Sequence, residues 1–145
     1  MRRAYATTVL LVAVLAGHTD VVLSVGFSPD GKILATCGGD NSIKFWDTTA
    51  WKVIPPSLGQ KENVASLAFS PIGRTLASAS ADGTMKLWNV STSHEVASLR
   101  LDLAVMYITF SPDGQILAAY SWDGLLRLWR APVLPDMKHS RPQDG

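Results

Sequence analysis

The sequence predicts an all-β protein built from three copies of one antiparallel sheet unit, and three recurring features support this prediction. Two of them are a tryptophan and an aspartate six residues before it, at Trp46, Trp88 and Trp129 and at Asp40, Asp82 and Asp123. Both recur in steps of 42 and then 41 residues. The third is a Ser-Pro-x-Gly turn that follows a phenylalanine in every copy. A constant period of this length indicates a repeat architecture.

Each copy begins with two predicted strands joined by this turn. The first segments are VVLSVGF from Val21, NVASLAF from Asn63 and AVMYITF from Ala104. Their alternation of apolar residues is typical of a half-buried strand. Proline then fixes φ at the first turn position and glycine takes the positive-φ position, so the chain reverses. The second strands are ILATCG, TLASAS and ILAAYS.

A second tight turn carries the recurring aspartate and leads into two further strands. The turns are GDNS, ADGT and WDGL, and Asp-Gly pairs are strong hairpin signals. The third strands are IKFWD, MKLWN and LRLWR, and the short segments WKVI and EVASL are predicted fourth strands at a sheet edge. Four antiparallel strands in about forty residues match one blade of a β-propeller.

The repeats divide the chain into blade 1 at residues 17–56, blade 2 at 57–99 and blade 3, with three strands, at 100–131. Residues 132–145 form a tail that we expect to be disordered, because prolines at 132, 135 and 142 prevent a regular fourth strand. Residues 1–16 are predicted to contain a strand that could complete a last blade. The alternative is a secretory signal peptide, since two arginines, an apolar run and Val14-x-Ala16 fit that pattern.

Composition excludes several classes of function. The chain has 145 residues, of which 47% are apolar and 17% charged, as in a globular domain. Its net charge is +1 and no basic run exceeds Arg2-Arg3, so no nucleic-acid partner is indicated. Cys37 is the single cysteine, and His94 and His139 have no partner at metal-ligand spacing. We therefore predict no metal, no cofactor, no catalytic residues and no membrane span, the apolar run being too short to cross a bilayer.

The first copy resembles the WD-repeat β-propeller family in three linked motifs. These are the Gly17-His18 corner, Asp40 in its turn and the dipeptide Trp46-Asp47. The resemblance extends from residue 9 to about residue 131 and weakens along the chain. Gln60 and then Leu101 stand where His18 would recur, and the dipeptide becomes Trp88-Asn89 and then Trp129-Arg130.

The resemblance implies a buried hydrogen-bonded tetrad of His, Ser or Thr, Asp and Trp in each blade. The first copy has the complete set, His18, Thr36, Asp40 and Trp46. The second has Ser78, Asp82 and Trp88, with Gln60 as an amide substitute. The third has Asp123 and Trp129, but Ala119 and Leu101 replace the hydroxyl and the imidazole. We interpret these residues as structural latches rather than as a catalytic site.

The resemblance also implies that the residue before each turn aspartate lies near the central opening of a propeller, where partners bind. These residues are Gly39, Ala81 and Trp122. Trp122 is the leading candidate for a partner anchor, because large aromatic side chains dominate many interfaces. Alternatively, it packs against Tyr120 or Tyr107. Weaker candidates at the starts of the first strands are Asn63, Ala104 and Tyr107.

Three blades do not close a ring, since propellers use roughly four to eight. One hypothesis is a homodimer that closes a six-bladed ring, in which each N-terminal strand completes the last blade of the other copy. The other is that the chain is the C-terminal part of a longer propeller. We prefer the second, because the imperfect third copy and the proline-rich tail are typical of a natural C-terminus.

The predicted function is a non-catalytic protein-protein interaction scaffold whose partner is a protein. The alternative is a regulatory or substrate-recognition module of a longer multidomain enzyme such as a kinase or a protease. We expect a cytoplasmic location, or export if residues 1–16 are a signal peptide. Fold by itself does not establish function, so these are inferences at the level of a protein class.

Overall fold

The computed structural model describes residues 8–72 and 74–131, and in these residues the chain forms three antiparallel sheets. Sheet 1 contains β1 (Val22–Phe27), β2 (Ile33–Gly38), β3 (Ser42–Asp47) and β4 (Lys52–Gly59). Sheet 2 contains β5 (Val64–Phe69), β6 (Thr75–Ser80), β7 (Thr84–Asn89) and β8 (His94–Arg100). Sheet 3 contains β9 (Val105–Phe110), β10 (Ile116–Ser121) and β11 (Leu126–Arg130). The all-β class and the antiparallel repeat units are confirmed, and the described part of sheet 3 has three strands.

The turns between the first and second strands form through local hydrogen bonds. In the first copy, the Ser28 hydroxyl donates to Asp30 at 2.7 Å and the backbone N–H of Lys32 donates to the same carboxylate at 3.0 Å. Gly31 has a φ of +73°, a conformation that residues with a Cβ rarely adopt. The Ser-Pro-Asp-Gly sequence thus contains both the side-chain acceptor and the flexible residue that the turn needs.

Strand β4 differs from the prediction, because it continues to Gly59 and the predicted end of blade 1 at residue 56 falls inside it. Pro55 and Pro56 lie in this strand, which is at the edge of sheet 1. An edge strand tolerates proline because the missing N–H can lie on the side without a neighbouring strand. The pairing with β3 shifts register between Ile43 and Phe45, so a bulge absorbs the irregularity.

The sheets pack face to face around two hydrophobic clusters. Between sheets 1 and 2, Cys37, Ile43 and Phe45 meet Leu67 and other apolar side chains of sheet 2. Between sheets 2 and 3, the opposite face of sheet 2 packs against β9 and β10. Every residue of β6 is buried, because this strand has a packed sheet on each side. Sheets 1 and 3 each have one face without such a neighbour among the described residues.

In the N-terminal segment, residues 8–18 form no strand within this chain. Its apolar side chains are exposed, with Val9 at 94% and Leu11 at 84% of full exposure. A strand needs a neighbour for its backbone hydrogen bonds, and the described residues provide none for this segment. Its pairing with another chain, and the signal-peptide alternative, stay predictions. Residues 1–7 and the predicted disordered tail at 132–145 lie outside the described residues.

Candidate interaction surface

Four side chains of sheet 1 and the corner before it form one continuous hydrogen-bonded chain. The Trp46 indole N–H donates to Thr36 Oγ1 at 2.9 Å, and the Thr36 hydroxyl lies 2.6 Å from His18 Nε2. His18 Nδ1 lies 2.9 Å from Asp40 Oδ2. Thr36 and Trp46 are buried, at 6% and 4% exposure. The structure therefore brings together the four residues that the family resemblance implied for the first copy.

The direction of these bonds determines the tautomer of His18. An indole N–H can only donate, so Thr36 accepts from Trp46, and the ionised Asp40 carboxylate can only accept, so Nδ1 of His18 donates to it and Nε2 accepts the Thr36 hydroxyl proton. The proton of the neutral imidazole then lies on Nδ1, where it is donated to Asp40. Both ring nitrogens are occupied by partners within the tetrad. This arrangement acts as a structural latch between the Gly17-His18 corner and the two hairpin strands.

Asp40 is ionised in this latch. Burial disfavours the charged carboxylate and raises its pKa, but hydrogen bonds from the Ser42 hydroxyl, from the backbone N–H groups of Thr19 and Ser42, and from His18 outweigh burial. The resulting pKa of Asp40 is about 2. The Ser42 hydroxyl lies at 2.8 Å and the Thr19 N–H at 3.1 Å. The carboxylate thus connects the turn to the segment that precedes sheet 1.

Blade 2 has a similar chain in which an amide takes the place of imidazole. The Trp88 indole N–H donates to Ser78 Oγ at 2.9 Å, and Ser78 donates to Gln60 Oε1 at 2.6 Å. The Gln60 amide then donates to the backbone carbonyl of Thr84 at 3.3 Å. Asp82 lies outside this chain, and its carboxylate accepts the Thr84 N–H at 2.7 Å. Blade 2 therefore retains a latch of different connectivity.

Blade 3 has no equivalent latch, because Ala119 and Leu101 have no side-chain group that can hydrogen bond. Asp123 instead forms an ion pair with Arg127 at 2.8 Å and accepts the Leu125 N–H at 3.0 Å. Trp129 is half-buried. Among the described residues, Ser121 Oγ is buried without a hydrogen-bond partner, which costs about 1 to 3 kcal/mol. Blade 3 is therefore the least constrained of the three.

The residues that precede the turn aspartates differ sharply in exposure. Gly39 and Ala81 are half-buried, and their N–H groups donate to the carbonyls of Val21 and Asn63 at 2.8 and 3.1 Å. Trp122 is 72% exposed. Of these three residues, Trp122 alone presents a large apolar side chain to solvent. At the strand starts, Asn63 and Ala104 are half-buried.

Tyr107 and Tyr120 lie on the open face of sheet 3 and stack on each other. Their ring centroids are 5.6 Å apart with an interplanar angle of 19°. Strand register places Tyr107 and Leu126 directly opposite Tyr120, and Ala118 opposite Leu128. We call these five residues the aromatic face. The 72% exposure of Trp122 favours a partner anchor over the alternative in which it packs against the tyrosines.

Leu126 and Leu128 were not identified from the sequence, although one signal could have found them. They are 66% and 62% exposed. The repeat period aligns Leu128 with Phe45 and Leu87, which are buried against the next sheet. A position that is buried in two copies is thus exposed in the third, because no sheet follows it among the described residues.

At two positions the first and second copies have small side chains that allow close sheet packing, and the third copy has tyrosines. Ser24 and Ser66 each accept a backbone N–H from the following sheet, at 3.3 Å from Leu67 and 3.2 Å from Ile108. Tyr107 stands at the equivalent position of the third copy. Likewise, Tyr120 aligns with Cys37 and Ala79, which are fully buried between sheets. The aromatic face is therefore not shaped for a further blade packed in the same way.

The open face of sheet 1 differs from the aromatic face in the residue types that it presents. Val25 and Phe27 are 60% and 58% exposed. They align with Leu67 and Phe69, which pack on the preceding sheet in the second copy. This face therefore keeps the residue types with which a blade packs on the blade before it.

Reactive groups are few in the described residues. Burial raises the pKa of the Cys37 thiol to about 12, so the thiol stays protonated and unreactive. No cluster of three or more His, Cys, Asp or Glu side chains suited to a metal occurs in residues 8–72 and 74–131. The same part of the chain contains no helix that is long and apolar enough to cross a membrane.

The three repeat units, their sheet order and the tetrad of blade 1 are the features of a WD-repeat protein. A family model described as WD domain, G-beta repeat, matches residues 10–47, 55–89 and 93–130. These segments cover most of the chain, which therefore belongs to the WD-repeat family. Domains of this family mediate protein interactions.

Three relatives show how local the similarity is. The Notchless protein homolog of Arabidopsis thaliana is 54% identical over 33 residues, which are 23% of this chain and 7% of the relative. The WD repeat-containing protein SL1-17 of Schistosoma mansoni is 45% identical over 47 residues, 32% of this chain and 16% of the relative. Ribosome assembly protein 4 of Chaetomium thermophilum is 49% identical over 43 residues, 30% of this chain and 8% of the relative. The matched stretch is thus a small part of each relative.

Proposed function

We propose that this chain is a non-catalytic scaffold for protein-protein recognition and that it binds its partner through Trp122 and the aromatic face. The observation that carries this proposal is the exposure of large apolar side chains in blade 3, with Trp122 at 72%, Leu126 at 66% and Leu128 at 62%. Contiguous exposed apolar surface is typical of interaction sites, and Trp and Tyr are enriched among the residues that dominate binding energy.

We further propose that the chain is the C-terminal part of a longer WD-repeat protein. Val25 and Phe27 on the open face of sheet 1 suit a preceding blade, whereas Tyr107 and Tyr120 obstruct a following one. A six-bladed homodimer would require the first blade of one copy to pack on the tyrosines of the other, so this asymmetry favours the longer protein.

Affinity capture from a native cell extract tests the scaffold proposal. The bait proteins are the wild type, Trp122→Ala, and a control, Val53→Ser, whose side chain is 50% exposed on β4. We expect partners that the wild type and the control retain and that Trp122→Ala loses, with unchanged melting temperatures. Equal capture by all three would contradict the proposed surface, and substrate turnover by the chain would contradict the non-catalytic assignment.

A further inference from the structure

An open cleft of about 410 Å³ lies between sheets 1 and 2, beside the Ser-Pro-x-Gly turns. Its apolar floor contains Ile33, Phe69 and Val90, which are half-buried at the rim of the first hydrophobic cluster. These turns precede the second strands, whereas Trp122 follows the second strand of its blade. The cleft therefore lies at the opposite end of the strands from Trp122 and does not depend on the aromatic face.

Two cationic side chains line the rim of this cleft. Lys32 and Arg74 occupy equivalent positions in the first and second copies, and both are exposed. Arg74 Nη1 donates to Ser91 Oγ at 2.7 Å. Neither cation forms an ion pair with another described residue. The rim is thus able to attract a carboxylate from outside the chain.

Asp30 is the acidic residue of the cleft lining, and its carboxylate already accepts hydrogen bonds within the turn. Hydrogen bonds from the Lys32 backbone N–H and the Ser28 hydroxyl lower the pKa of its carboxyl group. These bonds hold the carboxylate in the turn, at 3.0 and 2.7 Å. Two cations against one such carboxylate leave the rim with a net positive charge.

The equivalent place between sheets 2 and 3 has a different lining. Ile72 stands there in the position of Asp30 and packs against Gly114, where an added Cβ would lie 2.6 Å from Ile72 Cγ1. Gln115 replaces the basic residue of the other two copies. Blade packing therefore does not require a pair of cations, which is particular to the junction of blades 1 and 2.

We propose that this cleft binds an acidic peptide segment that inserts one bulky apolar side chain. The side chain would pack on Ile33, Phe69 and Val90, and flanking carboxylates would pair with Lys32 and Arg74. The planar guanidinium of arginine suits carboxylates because it donates two parallel hydrogen bonds. The volume of about 410 Å³ is in the lower part of the range typical of ligand pockets, which suits one or two side chains.

Fluorescence anisotropy with a labelled synthetic peptide tests this proposal on the full 145-residue chain. The probe has one leucine flanked on each side by two glutamates, and a matched probe has serine in place of leucine. We expect saturable binding of the leucine probe that weakens as salt is added. The serine probe should bind much more weakly, since it has no apolar group to bury.

Variants then locate the site. Asp30→Ile places at the first junction the bulky side chain that packs against Gly114 at the second, and it should abolish binding by filling the cleft. The exposed pair Lys32→Glu and Arg74→Glu together should weaken binding by about tenfold or more, because attraction becomes repulsion. Gln115→Glu, at the equivalent position of blade 3, is the control that should leave the affinity unchanged.

Two results would overturn the proposal, namely no saturable binding by the wild type at millimolar peptide, or equal binding by the wild type and the charge-reversed pair. Asp30→Ile should fold, because Ile72 occupies the same turn position and its N–H donates to Ser70 Oγ at 3.3 Å. If Asp30→Ile does not fold, the binding measured for the charge-reversed pair decides whether the proposal holds. Trp122→Ala should leave peptide binding intact, which separates this proposal from the scaffold surface.

Discussion

Blade 1 and blade 3 are formed by the same strand and turn patterns, yet they differ in how they are stabilised. Blade 1 has a complete tetrad and a fourth strand, whereas blade 3 has neither among the described residues. Their first turns are nevertheless the same, since Ser111 donates to Asp113 at 2.6 Å as Ser28 does to Asp30 at 2.7 Å. The hairpins therefore depend on local turn chemistry, and the tetrad adds stability to a sheet that forms without it.

The two blades also differ at their open faces. Sheet 1 presents aliphatic and phenylalanine side chains that suit a preceding blade, and sheet 3 presents stacked tyrosines. The blade that lost its latch is thus the one that gained exposed aromatic surface. The following substitutions test this contrast.

The largest expected effect is from Thr36→Val, which keeps the side-chain volume and removes the hydroxyl shared by Trp46 and His18. Two buried polar groups would lose their partner, so we expect the free energy of unfolding to fall by about 3 kcal/mol. Urea denaturation followed by tryptophan fluorescence measures it. Thr36→Ser keeps the hydroxyl and should retain most of the stability. A wild-type midpoint for Thr36→Val would contradict the latch.

Asp40→Asn should give the next largest effect, and it should depend on pH. The pKa of Asp40 is about 2 in the folded chain, below its ordinary value of 3.8. A lowered pKa means that the carboxylate stabilises the fold fully above about pH 4 and that this contribution is lost as the pH falls through 2. At pH 7 the free energy of unfolding of the wild type should exceed that of the variant by at most about 2 kcal/mol.

Denaturation of both proteins between pH 7 and pH 2 measures the difference, which should shrink below pH 4. Carboxylates common to the two proteins cancel in this comparison. Asp102→Asn is the control, because Asp102 is exposed and forms no ion pair with the described residues. A difference that does not change with pH would contradict the ionised latch.

Replacing the tyrosines with the small residues of the other copies, as Tyr107→Ser with Tyr120→Ala, should alter both stability and association. Loss of the ring stack should lower the free energy of unfolding by about 1 kcal/mol. The smaller face could then receive Val25 and Phe27 of a second copy, so the dimer fraction in native mass spectrometry should rise. A wild type that is already dimeric would contradict the obstructing role of the tyrosines.

The smallest effect on stability is expected for Trp122→Ala. The side chain is 72% exposed, and exposed substitutions usually change stability by less than about 0.5 kcal/mol. Thermal unfolding followed by circular dichroism measures it. A large fall in melting temperature would show that Trp122 packs within blade 3, and the anchor role would then be lost.

Much of the fold could be predicted from the sequence because its determinants are local. Alternating apolar residues, Ser-Pro-x-Gly turns and Asp-Gly turns act within one hairpin, and the period then repeats them. The tetrad members could be named through the family resemblance. The continuation of β4 through Pro55 and Pro56 could not be predicted, because it depends on the strand lying at a sheet edge.

The candidate sites were less accessible to prediction. Leu126 and Leu128 alternate like any half-buried strand, and only the absence of a neighbouring sheet among the described residues leaves them exposed. The cleft between blades 1 and 2 was likewise not predicted, because its lining comes from two turns about forty residues apart in the sequence, and only the packing of the two sheets brings them together.

By itself, the sequence determined the repeat, the strand order and the chemistry of each turn, because these arise from backbone preferences within a few residues. Only the tertiary structure decided that Gln60 bonds to Thr84 rather than Asp82, that Tyr107 and Tyr120 stack on an open face, and that residues 8–18 form no strand. Each of these depends on which groups packing brings within hydrogen-bonding or van der Waals distance, and spacing along the chain does not specify that.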